Sequence, residues 1–201
     1  MIDTTSLFLH VLAAIGILSG AVLQLLAGFR LRAADTIGDI ATWARFTRSA
    51  APLIVGSAVV SLATGGHLAG AVWTTETRSG FAYPFITLGA AGLVLLAPIG
   101  PTLGGARLRR LIAAAHDHGE NPGRADPDLL GAVRARTLWG PIHSLLGLGA
   151  GLVALMVYKP GWVAGVALLL ASFAAGWLLG VALGEPTTAA PSRTFPRTDA
   201  T

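Results

Sequence analysis

Five long blocks of apolar residues, about 7–29, 51–73, 81–103, 138–158 and 162–183, contain no Asp, Glu, Lys or Arg. Each is close to the ~20 residues that cross a ~30 Å hydrocarbon layer at 1.5 Å per residue. The pattern predicts an all-α polytopic membrane protein, one bundle of five transmembrane helices spanning residues 1–184. The first block follows Asp3, lacks a basic leader and is too long for a signal-peptide core, so it is read as a retained helix. Residues 185–201, rich in Pro, Thr, Ser and Ala, are expected to form a disordered cytoplasmic tail.

The basic residues orient the bundle. Arg30, Arg32, Arg45 and Arg48 join the first two blocks, and Arg107, Arg109, Arg110, Arg124, Arg134 and Arg136 join the third and fourth. The other two connections hold one basic residue each, Arg78 and Lys159. Because cytoplasmic loops collect Lys and Arg, the N-terminus is expected outside and the C-terminus inside. Trp73, Tyr83, Tyr158 and Trp162 then fall at the outer interface and Trp139 at the inner one. Within the larger inner loop, residues 106–118 predict a helix lying at the membrane surface, ended by the turn 120–123. Asp126 is placed to N-cap the next helix with Pro127 at its first position.

Composition narrows the chemistry. Mean hydropathy is +0.67 and 12% of residues are charged, against about a quarter in soluble domains. The absence of cysteine excludes disulfides, thiolate metal sites, iron–sulfur clusters and covalent haem attachment. A net charge of +4 is accounted for by the inner arginines, so no nucleic-acid partner is expected. The Arg, Ala and Gly bias points to GC-rich coding and a bacterial inner membrane. Small-xxx-small pairs such as Gly66/Gly70 and Gly147/Gly151 mark faces for close helix packing, or for contact with a second copy or another membrane protein.

Three histidines lie inside these blocks: His10, His67 and His143. An ionisable group at membrane depth is costly and marks a candidate site. Counting back to Arg30 and Arg48 puts His10 and His67 level, ~30 Å above the inner boundary, with His143 only roughly 10 Å up. All three share helix faces with Gly, Ala, Ser or Thr and are expected to point inward. Two readings stay open: hydrogen-bonding glue between helices, or a haem b or copper site held by His10 and His67. His116 and His118, beside Asp117, read as a solvated helix end. No acidic residue sits at mid-membrane, which places a small-molecule carrier third. The first functional reading is an inner-membrane protein with an assembly or stress-related role, the second a haem- or copper-binding redox protein.

The segments Leu9-His10-Val11-Leu12-Ala13-Ala14 and Met156-Val157-Tyr158-Lys159-Pro160-Gly161 resemble an uncharacterised bacterial family of integral membrane proteins. That family is distantly similar to copper-resistance D-like proteins and to the membrane protoporphyrinogen oxidase. The resemblance spans about residues 6–161 and implies a functional histidine in the first span, here His10. The oxidase family also uses a lysine embedded in the membrane. This chain departs from that pattern, since its only lysine is Lys159, at a helix end.

Overall fold

A computed structural model describes residues 1–99, 105–117 and 123–186, with side chains at 97–99, 116 and 117 excepted. The described chain is all-helical: α1 (Ile2–Ala33), α2 (Ile37–Ser49), α3 (Ala51–Ala71), α4 (Pro84–Ile99), α5 (Ala106–Asp117), α6 (Pro127–Arg134), α7 (Arg136–Tyr158) and α8 (Trp162–Leu183). A single 3-10 turn, Gly80–Ala82, precedes α4. Among the described residues, four segments are long and apolar enough to cross a membrane: α1, the near-continuous α2–α3, α7 and α8. The apolar stretch Pro84–Leu96 of α4 is shorter. The predicted tail from 187 onward, His118 and most of the turn 120–123 lie outside the described residues. Glu185, assigned to the tail from composition, is held in place. Its N–H donates to the Arg134 carbonyl (2.7 Å), and its own carbonyl accepts from Arg136 N–H (3.0 Å).

Two pairings build the membrane part. The α7–α8 hairpin is the tightest, because glycines let backbone meet backbone. A Cβ at Gly176 would overlap the His143 carbonyl, and one at Gly180 would lie 2.6 Å from the Trp139 carbonyl carbon. Gly147 and Gly151 pack on Ser172 as their spacing implies. Gly66 and Gly70 instead have nothing within 4 Å of a Cβ, so that stripe is not used inside the bundle. The second pairing is α1 against α3, where Gly16 faces Ser57 and Gly20 faces Ile54.

A second core lies where α2, α5 and α6 gather against the C-terminal end of α1 and the N-terminal end of α7. Leu31, Ile37, Ile40, Leu108, Leu111, Leu129, Val133 and Trp139 are buried together there. Helix α2 starts at Thr36, an N-cap whose hydroxyl accepts from Asp39 N–H (3.1 Å) and donates to Asp39 Oδ2 (2.8 Å). Its apolar face, Ile37, Ile40, Ala44 and Thr47, closes on α1 and α5. Helix α6 starts as expected: Asp126 accepts from Leu129 N–H at 2.7 Å, with Pro127 at the first position. The cap is tied to the α1–α2 connection by Ala125 N–H to the Asp35 carbonyl (2.8 Å) and by the Arg134–Asp35 ion pair (3.2 Å).

This cap changes the reading of Trp139. It is not an interfacial anchor but fully buried, with its Nε1–H donating to the Val133 carbonyl (2.7 Å) and the Arg32 guanidinium 4.2 Å above its ring. Gly28 lies flat beneath the indole, a Cβ there falling 2.5 Å from Cζ3.

Candidate functional site

The α1–α3 register decides where the histidines stand. Asp3 Oδ1 is 3.1 Å from His67 Nε2, and His10 Nδ1 is 3.1 Å from the Ser61 carbonyl. His10 meets α3 between Ser61 and Gly65, six to two residues before His67, an offset of roughly 3–9 Å at 1.5 Å per residue. The reason lies in α2. Helix α1 continues through Arg30 to Ala33 and α2 runs back beside it, so Gln24, not Arg30, stands opposite Thr47 and Arg48.

The three rings accordingly have separate fates. His67 is exposed and paired with Asp3, which is itself more than half exposed. His143 is buried, and its Nδ1 donates to the Trp139 carbonyl one turn back on its own helix (3.0 Å), so it bridges no helices through that nitrogen. Its Nε2 and the Arg32 Nε and Nη2 are buried with no hydrogen-bond partner among the described residues. His10 and His67 thus have different hydrogen-bond partners, His10 on α3 and His67 at Asp3 of α1. Among the described residues, no group of three or more His, Cys, Asp or Glu could hold a metal ion.

His10 is the ring that faces space. Two cavities of about 340 and 400 Å³ share His10, Ser61, Gly89, Leu93 and Met156 in their walls, so they flank one imidazole. Beyond these the walls are almost wholly apolar, contributed by α1, α3, α4 and α7. Volumes of this order with few polar groups suit a small lipid-soluble ligand.

A carbonyl oxygen can only accept, so the contact with Ser61 assigns the proton to His10 Nδ1 and leaves a lone pair on Nε2. Thr64 Oγ1 and Ser61 Oγ, at 3.3 and 3.4 Å from Nδ1, hold the same edge of the ring. Gly65 makes the approach possible, since a Cβ there would lie 2.9 Å from His10 Cε1. Nε2 has no hydrogen-bond partner among the described residues.

At the outer rim of the first cavity stands Lys159, in the left-handed conformation (φ 46°) that closes α7. Its ammonium is 4.9 Å from the Trp73 ring centre and 5.7 Å from that of Phe85. Trp73 meets Tyr83 and Phe85 edge-on at 5.2 and 5.1 Å, forming an aromatic collar at the mouth. The site is therefore graded: a cation and aromatics at the rim, one imidazole deeper, and aliphatic walls beyond.

Met156 and Lys159 were singled out in the sequence only as part of a family resemblance and at a span end, and were not assigned to the site; what makes them neighbours of His10 is the packing of α7 against α1 and α4. Comparison with protein-family models, with curated proteins and with solved structures returns no match.

Proposed function

We propose that this chain is a five-span protein of a bacterial inner membrane, N-terminus outside, that binds a lipid-soluble ligand beside His10, and that the ligand is haem b. The observation that carries this reading is the His10 Nδ1 contact with the Ser61 carbonyl on a wall common to two apolar cavities. An iron-ligating imidazole needs its far nitrogen held by a carbonyl, its Nε2 lone pair free, and dry walls around it. His10 and its surroundings supply all three.

Haem also brings two carboxylates, for which Lys159 at the rim is the cation within the same walls. The Met156 thioether adds a soft donor of the kind found opposite histidine in some haem proteins. When bound, the haem would supply redox or gas-binding chemistry. The chain's part is to fix the imidazole, exclude water and neutralise the carboxylates. Copper is the weaker reading, because a copper site calls for more converging donors than one histidine and one methionine.

The membrane orientation rests on the arginines of α2, α5 and α6, which gather at the end opposite Lys159. The fifth span rests on the apolar run 81–103, of which Pro84–Ile99 is helical and packs against α7, α3 and α8.

Protein purified in mild detergent from haem-replete cells is expected to show a Soret band. His10→Ala and His10→Gln should both abolish or shift it, because glutamine restores a hydrogen bond but not an iron ligand. His67→Ala should leave it unchanged. A colourless wild-type preparation, or a band indifferent to both His10 variants, would overturn the assignment.

A further inference from the structure

On the inner side a second recess opens among α1, α3, α4, α5 and α7, with a volume of about 130 Å³. Its polar wall is Gln24, Thr47, Arg48 and Arg109; its apolar wall includes Ile54, Leu96 and Leu145. Arg48 comes from the last turn of α2 and Arg109 from the first turns of α5, so two separate helices each contribute an exposed arginine to the lining of one recess. Neither guanidinium has an ion-pair or hydrogen-bond partner among the described residues, and no carboxylate among them lines the recess.

The contrast with the opposite side of α5 is informative. There Arg107 and Arg110 line a larger cavity together with Asp126 and Asp128, and Arg107 also donates to the Thr137 carbonyl. Positive charge is balanced on that side and left unbalanced in the recess. Two cations lining one recess with no counter-charge in its described wall make it a place where an anion is favoured.

We propose that this recess binds the phosphate of an anionic phospholipid, with Arg48 and Arg109 on the phosphate oxygens and Gln24 as a neutral donor. Guanidinium groups suit phosphate because their forked donors match its oxygens. The size of the recess admits a headgroup phosphate but not a whole amphiphile. Its apolar wall, continuous with α3, α4 and α7, lets the acyl chains leave along the bundle. Basic pockets between helices at the cytoplasmic face are a recurrent way to hold anionic lipid. Free phosphate would use the same arginines and gain nothing from Ile54, Leu96 and Leu145, which favours the lipid.

The test is thermal unfolding of the full chain in mixed micelles, comparing added phosphatidylglycerol, phosphatidylcholine and inorganic phosphate. Phosphatidylglycerol should raise the midpoint by roughly 2–4 °C over phosphatidylcholine, as a ligand specific for the folded state does. Inorganic phosphate alone should not. Arg48→Gln/Arg109→Gln should lose the shift relative to its own phosphatidylcholine baseline. Arg30→Gln/Arg45→Gln, which removes two exposed inner charges outside the recess, should keep it. Should the double variant not fold, Arg109→Gln alone is expected to lose at least half of the shift. Equal loss in the two double variants would reduce the effect to general surface charge and overturn the site, as would a full shift in Arg109→Gln. An equal shift with inorganic phosphate would overturn the lipid assignment.

Discussion

Gly180→Leu is expected to abolish recovery of folded protein, and Gly176→Leu to do nearly the same. At Gly180 even a methyl group would stand 2.6 Å from the Trp139 carbonyl carbon and 2.8 Å from Gly140 Cα. These neighbours are backbone atoms and cannot rotate away, so α7 and α8 must separate. In the membrane no hydrophobic force draws them together again, because lipid tails solvate the exposed faces equally well. The alanine variants, with the smallest side chain, should each cost about 1–3 kcal/mol by overpacking. Their costs are not expected to add, since both positions press on the same stretch of α7. Gly66→Ala and Gly70→Ala should be silent, because space is open there. Folded yield by size-exclusion chromatography and the thermal midpoint in detergent check all six variants. A Gly180→Leu protein with wild-type yield and midpoint would refute the close hairpin.

Trp139→Ala should cost about 3–5 kcal/mol, the range for removing a large buried aromatic. The loss has three parts that meet at one ring. The inner core loses its largest fully buried side chain, the Val133 carbonyl loses its indole donor, and Arg32 loses the ring face that covers it. Trp139→Phe should recover most of the packing but not the hydrogen bond, and fall between. Trp162, half exposed at the start of α8, serves as the control: Trp162→Ala should change stability by less than about 0.5 kcal/mol. Equal thermal midpoints for Trp139→Ala and Trp162→Ala would contradict the buried position of Trp139.

Much of this architecture is legible in the sequence, for a physical reason. A membrane-crossing helix is encoded by the length of an apolar run, which needs no knowledge of its neighbours. The runs at 7–29, 51–73, 138–158 and 162–183 therefore coincide with long apolar helices. Helix α2 escaped notice because Arg45 and Arg48 read as loop charge. Its signals were local nonetheless: Thr36 as an N-cap with Asp39 in the first turn, and Ile37, Ile40, Ala44 and Thr47 at helical spacing.

Missing α2 carried a consequence for the site. Depth counted from Arg48 assumed a boundary level with Arg30, whereas α2 folds back beside α1. In the structure His67 pairs with Asp3. The inward-facing His10 was readable from the small residues on its face. Its cavity was not, because Met156 and Lys159 reach it from a helix more than 120 positions later, and contacts so distant leave no periodic trace. Trp139 was misplaced for a related reason: an interfacial tryptophan and a core tryptophan look alike until the cap that covers one of them is known.

The placement of a ligand cavity in the outer half and an arginine recess in the inner half depends on one orientation of one bundle. Cysteine labelling tests it most directly, since the chain has no cysteine of its own. Single cysteines at Thr75, Gly161 and Gly123 in intact cells should react with a membrane-impermeant maleimide at the first two positions only. Position 123 should react only after the membrane is permeabilised. Labelling of position 123 in intact cells, with protection of 75 and 161, would contradict the account.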